Sequence, residues 1–195
     1  MRILTVCTAN ICRSPLAAAL LSQNLAGELG VPVEILSRGT RAEDGYPACP
    51  LSFDAAGLSL PNHESVRLSR DDIAQADLIL TAEAAHRAAV VTLHPASRSR
   101  VFTFTEAAAL SLWLRRELLD EGEDRQEPAA GGSTAQDRLA WWVVSLNGGR
   151  GATAPTSLDI NDPHGERYPR HDAPVKELIL ATSEISAGLI AARIL

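Results

Sequence analysis

The chain reads as an α/β protein: a single domain on an open four-stranded parallel sheet, with helices on both faces. Three observations predict this. Short apolar runs recur at residues 2–6, 31–36, 76–81 and 101–104. Helix-period stretches separate them over short connections, the pattern of right-handed parallel βαβ units. A length of 195 residues favours one domain, which can bury roughly 70% of its unfolded surface without disulfide or metal staples.

The elements follow in order. Residues 2–6 form the first strand, and 15–29 the first helix, stopped by Gly30. Leu16 and Leu20, then Leu21, Leu25 and Leu29, recur every four residues and give that helix an apolar face. Residues 31–36 form the second strand, entered past Pro32 and ended by Ser37-Arg38-Gly39-Thr40. A turn-rich loop at 41–50 leads to a short helix near 51–56, stopped by Gly57. Ser69-Arg70-Asp71-Asp72 caps another short helix. The third strand follows at 76–81, a helix at 83–93, the fourth strand at 101–104 and a helix at 105–120. Residues 121–133 are a polar, Gly/Pro-containing connection, and an apolar pattern returns from Leu139 to Leu146 with Trp141 and Trp142. A last helix covers about 173–194, with Val175, Leu178, Thr182, Ile185, Leu189 and Ala192 on its packing face.

Bulk properties remove several functions. The net charge is −6, with no basic cluster, so nothing favours nucleic acid or an anionic membrane as partner. No apolar stretch approaches the ~18 residues of a membrane span, and the N-terminus has no signal-peptide pattern. Three cysteines do not make a disulfide framework. The expectation is a cytoplasmic protein with reduced thiols. Oligomeric state is not assigned.

The chemistry concentrates in Val6-Cys7-Thr8-Ala9-Asn10-Ile11-Cys12-Arg13-Ser14-Pro15. This stretch joins the first strand to the first helix, where Ser14 and Pro15 suit the cap and first-turn positions. Backbone N–H groups point out of such a turn, and the helix dipole adds positive potential. A thiol in that field is pushed toward thiolate. An arginine can fork onto two phosphate oxygens. Nucleophile (Cys7), amide cradle (Thr8, Ala9, Asn10, Ile11, Cys12, Arg13) and charge clamp (Arg13) thus lie within seven consecutive residues. In an open parallel sheet, ligands bind at such strand ends.

The segment Val6–Pro15 resembles the phosphate-binding loop of the low-molecular-weight protein tyrosine phosphatases. Further stretches match that family in order: Ser37-Arg38-Gly39-Thr40; His63 and Ser65, then Ala76 to Leu80; and Asp159-Ile160-Asn161-Asp162-Pro163-His164-Gly165, with Tyr168 beyond. The resemblance covers about 1–106 and 159–195, leaving about 107–158 as an insertion in one domain spanning 1–195. In other Cys-x5-Arg phosphatases the acid precedes the nucleophile, whereas here it follows.

The resemblance implies hydrolysis of a phosphomonoester, on a phosphotyrosine protein or a small molecule, through a phosphocysteine on Cys7. Arg13 and the loop amides hold the equatorial oxygens. Asp162 protonates the leaving group and then activates water. Ser14 bonds to the Cys7 sulfur, and Asn10, Ser37 and His63 support the loop. The reaction needs no cofactor and no metal, since the loop supplies the positive charge. For Cys12 two readings stand: inert packing, or a reversible disulfide with Cys7, which the resemblance suggests. Cys49 is read as incidental, and His86, His94 and His171 as surface or cap residues without metal-site spacing.

The chain departs from the family at several positions. Ala9 stands where glycine is usual; a left-handed backbone there would cost on the order of 1–2 kcal/mol. Arg41-Ala42-Glu43-Asp44 and His164 stand where aromatic residues are common. Two other functions fit the scaffold. A thiol-dependent arsenate reductase needs two more cysteines near 80–90, and residues 76–98 contain none. A phospho-ligand binding or redox-sensing module would do without Asp162.

Overall fold

In a computed structural model, which describes residues 1–120, 134–164 and 170–194, strand β1 (Arg2–Cys7) is the hub. It pairs in parallel with β2 (Glu34–Gly39) on one side and β3 (Leu78–Thr81) on the other. Strand β4 (Val101–Thr103) joins β3, giving the order β2-β1-β3-β4. The chain moves one way from β1 to β2 and the other way to β3. The C-terminal end of β1 therefore lies at the topological switch point, where open sheets of this kind form crevices.

Alternation along β1 divides the core in two. Ile3, with Leu78, Leu80 and Phe102, faces a layer of α1 (Arg13–Leu25), α2 (Pro50–Ala55), α5 (Phe104–Asp120), α6 (Ala135–Gly148) and α7 (Asp172–Ile194). Leu4 and Val6, with Ile79 and Val101, face α3 (Arg70–Gln75) and α4 (Ala84–Leu93). Helices cover both faces, which is why these strands read as continuous apolar runs. Helix α7 packs along α5 and α1. Trp142 of α6 is fully buried against α7, so close that a Cβ on Gly188 would lie 2.4 Å from its ring. No helix among the described residues is long and apolar enough to cross a membrane.

Several boundaries differ from the sequence expectation. Helix α1 starts at Arg13 with Cys12 as its N-cap residue, and no side chain caps it. Ser14 lies inside the helix because its hydroxyl is drawn into a buried polar cluster below the loop. The helix ends at Leu25, short of the expected 29, and Gly27 and Gly30 follow with positive φ. Strand β2 runs three residues later than 31–36, because its register opposite β1 is set by Arg2↔Glu34 through Cys7↔Gly39. Ser37 and Gly39 are therefore inside the strand. A 3₁₀ segment at Pro95–Arg100, not foreseen, enters β4. Phe104 starts α5 instead of ending β4. The expected cap at Ser69 forms, as a capping box with Asp72, and Thr134 caps α6 in the same way with Asp137. The polar connection at 121–133, with Gly165 and Tyr168 of the expected Asp-Pro stretch, lies outside the described residues.

Candidate active site

The loop from Cys7 to Arg13 leaves β1 at the switch point and turns into α1. Its shape rests on Asn10, the one described non-glycine residue with positive φ, at 58°. Asparagine tolerates that left-handed backbone better than most residues. Here its side chain is also fully used. Asn10 Nδ2 donates to Ser14 Oγ and to Ser37 Oγ, both at 2.9 Å. Its Oδ1 accepts from the Val66 N–H at 2.8 Å, and its carbonyl lies 2.8 Å from His63 Nε2. Strain sits at position 10, then, and Ala9 carries none of it.

Strand β2 braces the loop from below. The N–H groups of Thr40 and Arg41 donate to the carbonyls of Cys7 and Thr8, both at 2.9 Å. Gly39 makes this approach possible. A Cβ there would meet Thr8 O at 2.6 Å, Ala42 Cβ at 2.7 Å and Asn10 N at 2.9 Å. Two of those three neighbours are loop backbone and cannot swing aside. Gly39→Ala should therefore shift the loop and lower turnover of an aryl phosphate by about 100-fold or more, the scale for a misplacement near 1 Å. Steady-state kinetics beside a circular dichroism melt would separate this from unfolding.

Cys7 is buried, with Sγ 3.1 Å from Ser14 Oγ. Arg13 is buried and fully engaged. Its Nη1 pairs with Glu83 and donates to the Ile160 carbonyl at 2.7 Å. Its Nη2 donates to Asp162 Oδ2 at 2.7 Å and to Thr8 Oγ1 at 3.4 Å. Asp162, 37% exposed at its side chain, also accepts from the His164 N–H at Oδ1. The segment carrying it is tied to the β3–α4 turn: Ile160 N–H donates to Ala82 O at 2.8 Å, and Ala84 N–H to Asp159 Oδ1 at 2.7 Å. Cys7, Ala9, Ile11, Cys12, Arg13, Asp162 and His164 line one cavity of about 240 Å³. That is below the roughly 300–1,000 Å³ of a drug-sized pocket. It suits the head of a phosphomonoester, with the remainder outside.

Sequence reasoning missed two residues at the site. Glu83 anchors Arg13 from the end of β3. The signal available was its place just after a strand, on the ligand-binding edge of the sheet. His86, expected at the surface or in a cap, is instead buried, with Nε2 2.9 Å from Thr8 Oγ1. Nothing in its spacing marks it. His171, given the same expectation, is also buried. Burial pushes the Cys12 thiol up, and Cys49 adds to the shift. Cys12 is thus held as a protonated thiol.

Burial pushes the His86 imidazole below its ordinary range. Glu83 and the more distant Asp162 and Asp159 oppose this, and Arg13 adds to it. The sign for stability follows. The fold holds His86 neutral, while the unfolded chain takes up a proton below about pH 6.5. The contribution is whole above that pH and is lost as pH falls toward the depressed folded value. Stability should fall below about pH 6.5 with a slope of at most about 1.4 kcal/mol per pH unit from this group. Urea midpoints at pH 7.5 and 5.5 should show a smaller acid loss in His86→Gln than in the parent.

The family model described as low molecular weight phosphotyrosine protein phosphatase matches residues 2–120. A probable low molecular weight protein-tyrosine-phosphatase, EpsP, of Ralstonia nicotianae is 38% identical over 107 residues, covering 53% of this chain and 70% of that protein. A protein-arginine-phosphatase of Bacillus subtilis is 34% identical over 109 residues, covering 54% and 71%. Among solved structures, the YwlE arginine phosphatase of Geobacillus stearothermophilus superposes with a TM-score of 0.65 at 24% identity, over 99% of this chain and 95% of that one. That last likeness speaks to the fold.

Proposed function

The chain belongs to the low molecular weight phosphotyrosine protein phosphatase family, and from this premise we propose that it hydrolyses phosphotyrosine through a phosphocysteine on Cys7. The observation that carries the reading is the convergence of Cys7, the loop, Arg13 and Asp162 on one small cavity.

In the first step the Cys7 thiolate attacks phosphorus, and the S–P bond forms as the P–O bond to the phenol breaks. Asp162 gives its proton to the departing oxygen. The amides of residues 8–13 and the guanidinium of Arg13 stabilise charge on the three equatorial oxygens. In the second step Asp162 takes a proton from water. The water oxygen attacks phosphorus, releasing inorganic phosphate and the thiolate. The Ser14 hydroxyl, 3.1 Å from Sγ, stabilises the thiolate as attacker and as leaving group.

The Arg13–Asp162 pair couples binding to chemistry. A phosphoryl group arriving at Nη2 competes with Asp162 for the same donor. Substrate would thereby free Asp162 from Arg13 and leave its carboxyl to face the leaving oxygen. Glu83 and the Ile160 carbonyl keep Arg13 in place throughout. None of the described residues of the insertion read at about 107–158 lines the cavity.

The apolar side chains of Ala9 and Ile11 beside the nucleophile favour an aryl group over a charged guanidinium. Phosphate release from matched phosphotyrosine and phosphoarginine peptides tests this. The expected result is a kcat/KM at least about 10-fold higher for phosphotyrosine, the scale of one apolar contact. Faster cleavage of phosphoarginine would move the substrate assignment to that relative's class. No release from either peptide would overturn the reading.

A further inference from the structure

Four side chains that the reaction does not use converge beside the catalytic loop. Cys12, Cys49, His164 and His171 offer two sulfurs and two imidazole nitrogens, all within 4.8 Å of one another. Cys49 Sγ lies 3.5 Å from His171 Nε2. The His164 and His171 rings stand edge to face, with centroids 5.0 Å apart and planes at 78°. Cys12, Cys49 and His171 are buried, while His164 is open to the cavity mouth.

The four come from separate segments. Cys12 ends the catalytic loop, Cys49 precedes α2, His164 follows Asp162 by two residues, and His171 directly precedes α7. The Cys49 N–H donates to the Ile11 carbonyl at 2.9 Å, which fixes α2 to the loop beside Cys12. Simple packing would explain one buried thiol. It does not explain two thiols and two imidazoles with their donor atoms all within 4.8 Å of one another.

We propose that Cys12, Cys49, His164 and His171 form a second site that binds one zinc-class divalent ion in tetrahedral coordination. Two thiolates and two imidazoles are a zinc donor set. A tetrahedral zinc shell places its donors about 3.3–3.8 Å apart. No pair of the four atoms needs to close by more than about 1.5 Å to meet that shell. Binding displaces two thiol protons, so two thiolates balance the dication and the cavity gains no net charge. The ion takes no part in the hydrolysis. It ties the catalytic loop to the turn that carries Asp162 and to the start of α7. Metal uptake does not depend on the phosphatase reading, so the two can fail separately.

The test uses the full chain, reduced and freed of metal by chelation. Titration should show uptake of one equivalent of Zn²⁺. One equivalent of Co²⁺ should give tetrahedral d–d bands with a thiolate charge-transfer band. Cys49→Ser and His171→Asn should each weaken zinc binding by more than the roughly 10–100-fold typical of losing an outer partner. Cys7→Ser and His94→Asn should bind as the parent does. Zinc in 100-fold excess over its Kd should raise the parent's Tm by about 5–10 °C and leave Cys49→Ser and His171→Asn unmoved. Failure to bind a stoichiometric ion, or a cobalt spectrum without thiolate bands, would overturn the proposal. So would unchanged affinity in Cys49→Ser and His171→Asn, or loss of binding in Cys7→Ser, which would put the metal on the nucleophile. If Cys49→Ser does not fold, the cobalt spectrum of the parent and the His171→Asn titration still decide.

Discussion

Cys7→Ser should lower turnover of an aryl phosphate by about 10⁵–10⁶-fold, the scale for losing the nucleophile of a covalent enzyme. The fold should survive, since serine is isosteric and the site's hydrogen-bond frame runs mainly through Asn10, Ser14 and Gly39 rather than through the sulfur. Phosphate should still bind, because the amides and Arg13 are untouched. Steady-state assay and phosphate titration on the same preparation measure both. A variant that turns over like the parent would remove the phosphocysteine and, with it, the mechanism.

Asp162→Asn carries the second large effect. Substrates with poorly acidic phenols should slow by roughly 10²–10⁴-fold, because the leaving oxygen then departs unprotonated. Substrates with acidic phenols should phosphorylate Cys7 at close to the parent rate. Their second step, which also needs Asp162, should become limiting and give a burst of phenol. Asp162 also accepts from Arg13 Nη2, so a purely positional role is the competing account. Equal losses for both kinds of phenol, with no burst, would favour that account.

What could be read from the sequence divides along one line: local information was visible, convergence was not. The four strands and their parallel order follow from apolar runs separated by helical ones. Cys7 and Arg13 are the two ends of one seven-residue loop. Asp162 is legible only because the resemblance supplies the motif around it. Ser14 shows how a local rule fails. By residue type it is an N-cap, yet its hydroxyl is held between Cys7 and Asn10 inside the helix. Tertiary partners decided its place. Glu83 and His86 had no spacing to mark them, since only the fold brings β3 and α4 to the loop. The thiol and imidazole cluster was invisible for the same reason. Metal motifs are readable when the ligands share a hairpin or a helix turn, and here long stretches of chain separate most of them.

The position of Asp162 has a consequence for synthesis. The nucleophile emerges early and its acid 155 residues later, only just ahead of α7, whose packing on α1 and α5 closes the larger core. At about 5–20 residues per second, a nascent chain carries the Cys7 thiol for roughly 8–30 s before Asp162, the proposed proton donor, is made. A chain stalled or clipped before residue 159 lacks Asp162 and α7 alike, so the proposed acid and the closure of the larger core are lost together.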